Sequence, residues 1–167
     1  HLRALDNKVF KYVAPYAGKD KAVLDYGCGW GRATSGLQAL FGSYMGVDVC
    51  AQLLDMAPKR GVKANLREMT STQIPAGDSS LDVVLCLNVL RECSDDMCLE
   101  AFKEWGRVLK RGGKIVLVEQ TDGSWRRVLG YRKLFPELNP KEEVRLDGIV
   151  YTVMVANPQR VKRKKRS

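Results

Sequence analysis

The sequence predicts an α/β fold: a three-layer sandwich whose mostly parallel, seven-stranded sheet ends in an antiparallel hairpin. Three observations carry this. Apolar runs alternate regularly with segments of helical periodicity. "SLDVVLCLNV" and "KIVLVEQ" are nearly unbroken apolar runs, as strands covered on both faces require. Near the end, "EEVRL" and "IVYTVMVA" flank Asp147-Gly148, a type I′ turn signal that joins antiparallel neighbours.

The elements follow in order. Residues 5–17 read as a helix, with Leu5, Val9, Tyr12, Val13 and Tyr16 at helical spacing. "AVLDYG" is a short buried strand that stops at glycine, and a helix resumes over 31–41. "SYMGVDV" is the second strand, "CAQLLDMAPKR" a helix closed by Pro58, and "VKANLREM" a weaker third strand. After the fourth strand, "SDDMCLEAFKEWGRVLK" opens on Ser94 or Asp95 as N-cap and stops at Arg111-Gly112-Gly113, with Trp105 in its core face. "TDGSWRRVLGYRKLFPELNPK" reads as one helix with flexible flanks, placed between the fifth strand and the hairpin. Residues 1–157 are expected to form one domain and residues 158–167 a basic, disordered tail.

Composition narrows the function. The chain has 167 residues and a formal charge of +9. Six cations fall in "QRVKRKKRS", which takes the +9 of the whole to +3 for the remainder, so the positive excess is mostly a tail. Five scattered cysteines without a CxxC pair predict buried thiols in a reducing compartment, not a disulfide framework. The only histidine is His1, which argues against a zinc site and excludes an imidazole base within the chain. No apolar run approaches the ~18 residues of a membrane span. The start lacks a signal-peptide layout, which makes a cytoplasmic setting the expectation; "KRKKR" also suits nuclear import.

"VLDYGCGWGRATSGL" places Gly27, Gly29 and Gly31 at alternate positions between a strand and a helix. A dinucleotide turn, G-x-G-x-x-G, would need glycine at position 32, which is Arg32. No GK[ST] follows, so a triphosphate cradle is disfavoured. The glycines allow a ligand close to the backbone at the carboxyl end of the first strand. Asp48 ends the second strand about twenty residues later, where an acid bonds ribose hydroxyls. An exposed strand-end acid is its bland alternative.

Here the sequence resembles the class I S-adenosylmethionine-dependent methyltransferases, of the small-molecule type that includes ubiquinone/menaquinone-pathway enzymes. Four blocks carry the resemblance in order: "VLDYGCGWGRAT", "YMGVDVCAQLLDMA", "IPAGDSSLDVVLCLNVL" and "EWGRVLKRGGKIVLVE". It covers residues 20 to 120 and implies a Rossmann-like sheet and S-adenosyl-L-methionine as cofactor. It implies that Asp25, Tyr26, Gly27, Cys28 and Gly29 surround the methionine and ribose, and that Asp48 holds the ribose hydroxyls. Val49 would lie against adenine, Leu87 and Asn88 would face the reactive end, and Gly31 would serve close packing. Two departures stand out. The family's acid near the adenine amino group falls at Thr70, so backbone groups of Met69 and Thr70 would substitute. The histidine common after the fourth strand is missing near Glu92.

Methyl transfer from a sulfonium is an in-line displacement that alignment can largely supply. A base matters only for a protonated acceptor. Candidates on the carboxyl edge are Glu92, Glu119 and Asp122, with Asn88 as an orienting group. For Glu119 the alternative is a solvated strand-end acid, and for Glu92 a helix-start charge. "GSWRRVLGYRKLF" is expected over the mouth of the site, where Trp125, Arg126, Arg127, Tyr131, Arg132 and Lys133 would suit an anionic or aromatic acceptor. Its plainer reading turns Trp125, Val128, Leu129 and Leu134 to the core. Tyr12 and Tyr16 are core residues first and acceptor contacts second. The leading expectation is methyl transfer to a small-molecule acceptor. A methyltransferase of RNA or protein, and an inactive partner-binding subunit, are the alternatives. The tail raises a nucleic-acid or protein partner.

Overall fold

The computed structural model describes residues 2–122 and 125–158. The basic run beyond Pro158, and the side chains of Leu5, Trp125, Arg126, Arg127 and Val128, lie outside the described residues. A helix α1 (Leu2–Val13) runs into a single 3₁₀ turn, Ala14–Tyr16, with Pro15 near its start. Strand β1 (Gly18–Tyr26) follows, then α2 (Thr34–Leu40) and β2 (Phe41–Asp48). Two short helices, α3 (Ala51–Leu54) and α4 (Met56–Lys59), stand where one helix was expected. The break falls at Asp55, and Pro58 lies inside α4 instead of ending it.

Strand β3 is only Leu66–Glu68, and β4 is Leu81–Leu87. Helix α5 (Asp95–Val108) begins at Ser94, whose hydroxyl accepts the Met97 N–H at 3.3 Å. It ends at Val108, earlier than its Gly112-Gly113 signal, because β5 (Leu109–Gln120) begins at once and takes those glycines into a bulge. Helix α6 (Trp125–Leu134) leads to β6 (Asn139–Leu146) and β7 (Ile149–Ala156). Asp147 and Gly148 have φ of 48° and 80°, as a type I′ turn demands.

The sheet order is β3-β2-β1-β4-β5-β7-β6. The first five of these strands are parallel, and β7 pairs antiparallel to both neighbours. Each face carries its own apolar layer. One packs Trp105, Phe102 and Tyr26 with Leu24, Val84 and Leu117; the other packs Val9, Val13 and Leu37 against Val23, Val83 and Val116. Trp105 meets Tyr26 and Phe102 edge-on, at ring separations of 5.2 and 5.1 Å. The order reverses between β1 and β4, because β2 lies to one side of β1 and β4 to the other. A crevice therefore opens at the carboxyl ends of these two strands.

Candidate active site

The chain leaves β1 at Tyr26 and turns through Gly27, Gly29 and Gly31, with φ of 72°, 54° and 78°. Only glycine adopts such a series without strain. Strand β2 holds the turn from one side. The Val47 carbonyl accepts both the Gly27 and the Cys28 N–H, at 2.8 and 3.0 Å. Asp48 continues the seam: Oδ2 accepts the Gly29 N–H at 2.8 Å, and Oδ1 accepts the Cys50 N–H at 2.9 Å. Asp48 is only 8% exposed, so it is not a solvated strand end.

The glycines have different duties. A Cβ on Gly27 would lie 2.3 Å from Val89 Cγ2, so the loop after β4 sits directly on it. One on Gly31 would meet Thr34 Oγ1 at 2.8 Å and Val62 Cγ1 at 2.9 Å, which makes it a packing glycine. A Cβ on Gly29 would meet only Leu53 Cδ1, at 3.8 Å. Gly29 and Leu53 both line an open cleft of about 270 Å³, together with Asp25, Trp30, Arg32 and Leu87.

The cleft floor is polar and fixed. Asp25 is 2% exposed; it accepts the Tyr44 hydroxyl at 3.0 Å, and that hydroxyl accepts Thr34 Oγ1 at 2.9 Å. Burial, followed by the charge of Asp25, pushes the Tyr44 hydroxyl well above its ordinary pKa, so it remains a donor. Burial likewise pushes the Cys28 thiol up, which makes it an inert wall and not a nucleophile. Trp30 carries the Arg60 guanidinium over its ring at 4.7 Å.

The expected site residues do not all gather here. Asp25, Gly27, Cys28, Gly29 and Leu87 line the cleft, and Asp48 braces it. Tyr26 turns its ring into the layer around Trp105, and Val49 is exposed beyond Asp48. Met69 is buried and gives its N–H to the Asp48 carbonyl at 2.9 Å; the Thr70 carbonyl accepts the Gln73 N–H at 3.1 Å. The loop after Ile74 is tied to α5: Glu104 accepts the Ile74 N–H, and Arg107 donates to the carbonyls of Ile74 and Ala76.

At the β4–β5 side, Asn88 takes φ of 57° and is exposed; its Oδ1 accepts the Gln120 N–H at 3.2 Å. Asp122 accepts Gln120 Nε2 at 2.8 Å. Glu119 requires a correction. It is neither a solvated acid nor open to a substrate, being wholly buried. Its Oε1 accepts the N–H groups of Val89 and Leu90 at 2.9 and 2.8 Å, and its Oε2 that of Arg91 at 3.2 Å. Burial raises its pKa to about 7 against the opposing pull of these bonds. Glu92 is exposed and paired to Arg91 Nε at 2.9 Å.

Two further expectations are corrected. Helix α6 does not close over the cleft with its described side chains. Tyr131 is buried against α5 and Phe135 stacks on Phe102 at 4.7 Å, whereas Leu129, expected in the core, is 57% exposed. Tyr12 and Tyr16 pack against the second apolar layer, as their helical spacing predicts, and not at the cleft: Tyr16 lies at the opposite edge of the sheet, and Tyr12 gives its hydroxyl to Glu142 of β6. Sequence reading missed Thr34, Tyr44, Leu53 and Trp30. Trp30 lies inside the glycine motif and Thr34 three residues beyond it, both within reach of a sequence reading; Tyr44 and Leu53 join only through the fold.

The comparisons agree with this geometry. Residues 24–117, more than half of the chain, match the family described as methyltransferase domain. The chain is 31% identical over 118 residues to the ubiquinone/menaquinone biosynthesis C-methyltransferase of Bdellovibrio bacteriovorus, covering 67% of this chain and 48% of that protein. It is 31% identical over 107 residues to the malonyl-[acyl-carrier protein] O-methyltransferase of Herminiimonas arsenicoxydans, covering 61% and 38%. The matched stretches span about half the length of these curated relatives, or less. Among solved structures, a SAM-dependent methyltransferase from Methanosarcina mazei superposes with a TM-score of 0.70 at 20% identity, covering 87% of this chain and 95% of that one. The geranyl diphosphate C-methyltransferase of Streptomyces coelicolor gives 0.73 at 18%, covering 95% and 80%. With its glycine turn at the β1–β4 crevice and its antiparallel last strand, the chain belongs to the methyltransferase-domain family and has the class I fold.

Proposed function

We propose that this chain binds S-adenosyl-L-methionine at the β1–β4 crevice and transfers its methyl group to a small-molecule acceptor. The observation that carries the reading is Gly29. Its left-handed backbone faces open cleft where a side chain would intrude on a ligand, and Asp48 fixes its N–H from behind. The cofactor's parts fit the residues present. Asp48 has used two acceptor positions of its carboxylate and keeps others for ribose hydroxyls. Leu53 and the exposed Val49 offer apolar surface for a base, and buried Asp25 offers a negative charge for an ammonium. When bound, the cofactor supplies an already activated methyl group.

The chain's own task is then alignment at roughly 3 Å and exclusion of water. Asn88 is the residue we assign to orient the acceptor, since it is exposed and follows Leu87 of the cleft wall. Glu119 acts as a positioning residue through the backbone of Val89–Arg91. Glu92 and Asp122, both exposed, are the remaining candidate bases. A small acceptor is supported by the relative named for ubiquinone/menaquinone biosynthesis and by the structural neighbour named for geranyl diphosphate. Five free thiols favour a reducing setting, cytoplasm or nucleus; no helix among the described residues is long and apolar enough to cross a membrane.

The test is transfer of labelled methyl from S-adenosylmethionine into fractionated extract by the full chain. Label in the small-metabolite fraction is the expected result. Label confined to RNA or protein would overturn the acceptor class. No label, with no calorimetric binding of the cofactor by folded protein, would overturn the enzyme reading.

A further inference from the structure

The chain leaving β4 passes through Val89 into a single 3₁₀ turn, Leu90–Glu92, and one buried carboxylate holds this stretch from beneath. Glu119 of β5 accepts the N–H groups of Val89, Leu90 and Arg91, and no part of it reaches solvent. The carbonyls of the same stretch are tied as well. That of Val89 accepts the Cys93 thiol at 3.7 Å, and that of Leu90 accepts the Cys98 thiol at 3.8 Å. The Arg91 side chain donates to Gln120 and pairs with Glu92.

On its other side the stretch presses on the glycine turn. A Cβ on Gly27 would lie 2.3 Å from Val89 Cγ2 and 3.0 Å from Cγ1, so the valine rests directly on the glycine backbone. Gly27 lines the cofactor cleft, together with Leu87 at the end of β4. Close-packed groups pass a shift on to their neighbours. A displacement of residues 89–91 is therefore felt at the cleft wall.

The surroundings of Glu119 suit its ionised form. A carboxylate only accepts hydrogen bonds, whereas a carboxylic acid must also donate one. The bonds that Glu119 makes among the described residues all come from donors. Protonation at Oε2, whose bond to the Arg91 N–H is the longest of the three at 3.2 Å, sets a hydroxyl against that N–H. Burial nevertheless raises the Glu119 pKa to about 7 against these bonds and the Arg91 charge, so the group changes charge near neutrality. The other titratable groups packed around it do not. Burial pushes up the thiols of Cys86 on β4, of Cys93, and of Cys98 on α5, which stay neutral there. Tyr26 of β1, also pushed up by burial, and Tyr131 of α6 share the same buried layer, and β7 sets Thr152 opposite Glu119.

We infer that the charge on Glu119 controls how firmly the cleft holds its cofactor: the carboxylate keeps residues 89–91 seated on Gly27, and protonation unseats them. The inference rests on the cofactor reading of the cleft and gives that site a response to pH.

The experiment is calorimetric titration of wild type and Glu119→Gln with S-adenosylhomocysteine at pH 6, 7 and 8, each in two buffers of unlike ionisation enthalpy. Wild type is expected to bind about tenfold more weakly at pH 6 than at pH 8, the ratio of ionised fractions for a group titrating near 7. It should release about 0.9 proton per molecule bound at pH 6 and about 0.1 at pH 8. Glu119→Gln should keep, at all three pH values, an affinity within about threefold of wild type at pH 6, without this release. The proton count needs wild type alone, so it decides the matter even where the variant does not fold. Equal affinity across the range with no proton release, tighter binding at pH 6, or the same pH dependence in Glu119→Gln would each overturn the inference. No binding by folded wild type at any of the three would overturn the cofactor reading itself, and the inference with it.

Discussion

Strand β2 ends on a buried acid and β5 carries one as its penultimate residue, and the two acids do different work. Asp48 accepts two backbone N–H groups and stands behind Gly29 at the cleft. Glu119 accepts three, all from the loop after β4, and no part of it reaches solvent. A carboxylate at a strand end is thus no signature of chemistry by itself. What separates the two is the loop each one serves. Asp48 keeps acceptor capacity beside a cleft, whereas Glu119 is enclosed by the loop it organises. Val89 links them, since Glu119 fixes its N–H and its side chain covers Gly27.

That link is where the comparison breaks most easily. Gly27→Ala adds a methyl 2.3 Å from Val89 Cγ2 at a φ of 72°, and is expected to cost roughly 3 kcal/mol of stability. Denaturant unfolding measures this, and Val89→Ala in the same chain should restore part of the loss. Asp48→Ala comes next. It leaves the Gly29 and Cys50 N–H groups without their carboxylate, at about 1–3 kcal/mol, and should weaken S-adenosylhomocysteine binding at least tenfold. A stability loss with unchanged affinity would make Asp48 a brace alone.

Glu119→Gln sharpens the contrast through pH. Burial raises the Glu119 pKa from 4.5 to about 7, so between these values the folded protein holds a proton that the unfolded chain has lost. Its contribution to stability is complete below pH 4.5 and is lost as pH rises through about 7. The glutamine variant lacks this decline. It should be the less stable at pH 5, where one N–H loses its acceptor, and the gap should narrow by up to roughly 3 kcal/mol by pH 8. Unfolding curves at both pH values read this directly. The smallest effect belongs to Glu92→Ala, whose exposed pair with Arg91 is worth less than about 1 kcal/mol.

The sheet was legible from the sequence because its signals are local: buried apolar runs, the Asp-Gly hairpin and the glycine turn. The α3–α4 break was not, because the segment "CAQLLDMAPKR" keeps an unbroken helical pattern and its stop at Asp55 carries no glycine or proline. In the site, Gly29 and Asp48 announced themselves by residue type and position. The double duty of Asp48 did not, since it depends on β2 lying beside the turn. The enclosure of Glu119 was hidden for a related reason. The residues that bury it belong to a loop about thirty positions away, and nothing in "KIVLVEQ" signals their approach. Helix α6 misled because Leu129 lies on a face that tertiary packing leaves to solvent.

The central claim is that the cleft beside Gly29 and Asp48 is the cofactor site, whereas Glu119 acts at a distance from it. Calorimetric titration of wild type, Asp48→Asn and Glu119→Gln with S-adenosylhomocysteine at pH 6 tests it most directly. The account predicts binding by wild type, a loss of at least tenfold in Asp48→Asn, and affinity within about threefold in Glu119→Gln. Absence of binding by folded wild type, or a larger loss from Glu119→Gln than from Asp48→Asn, would contradict it.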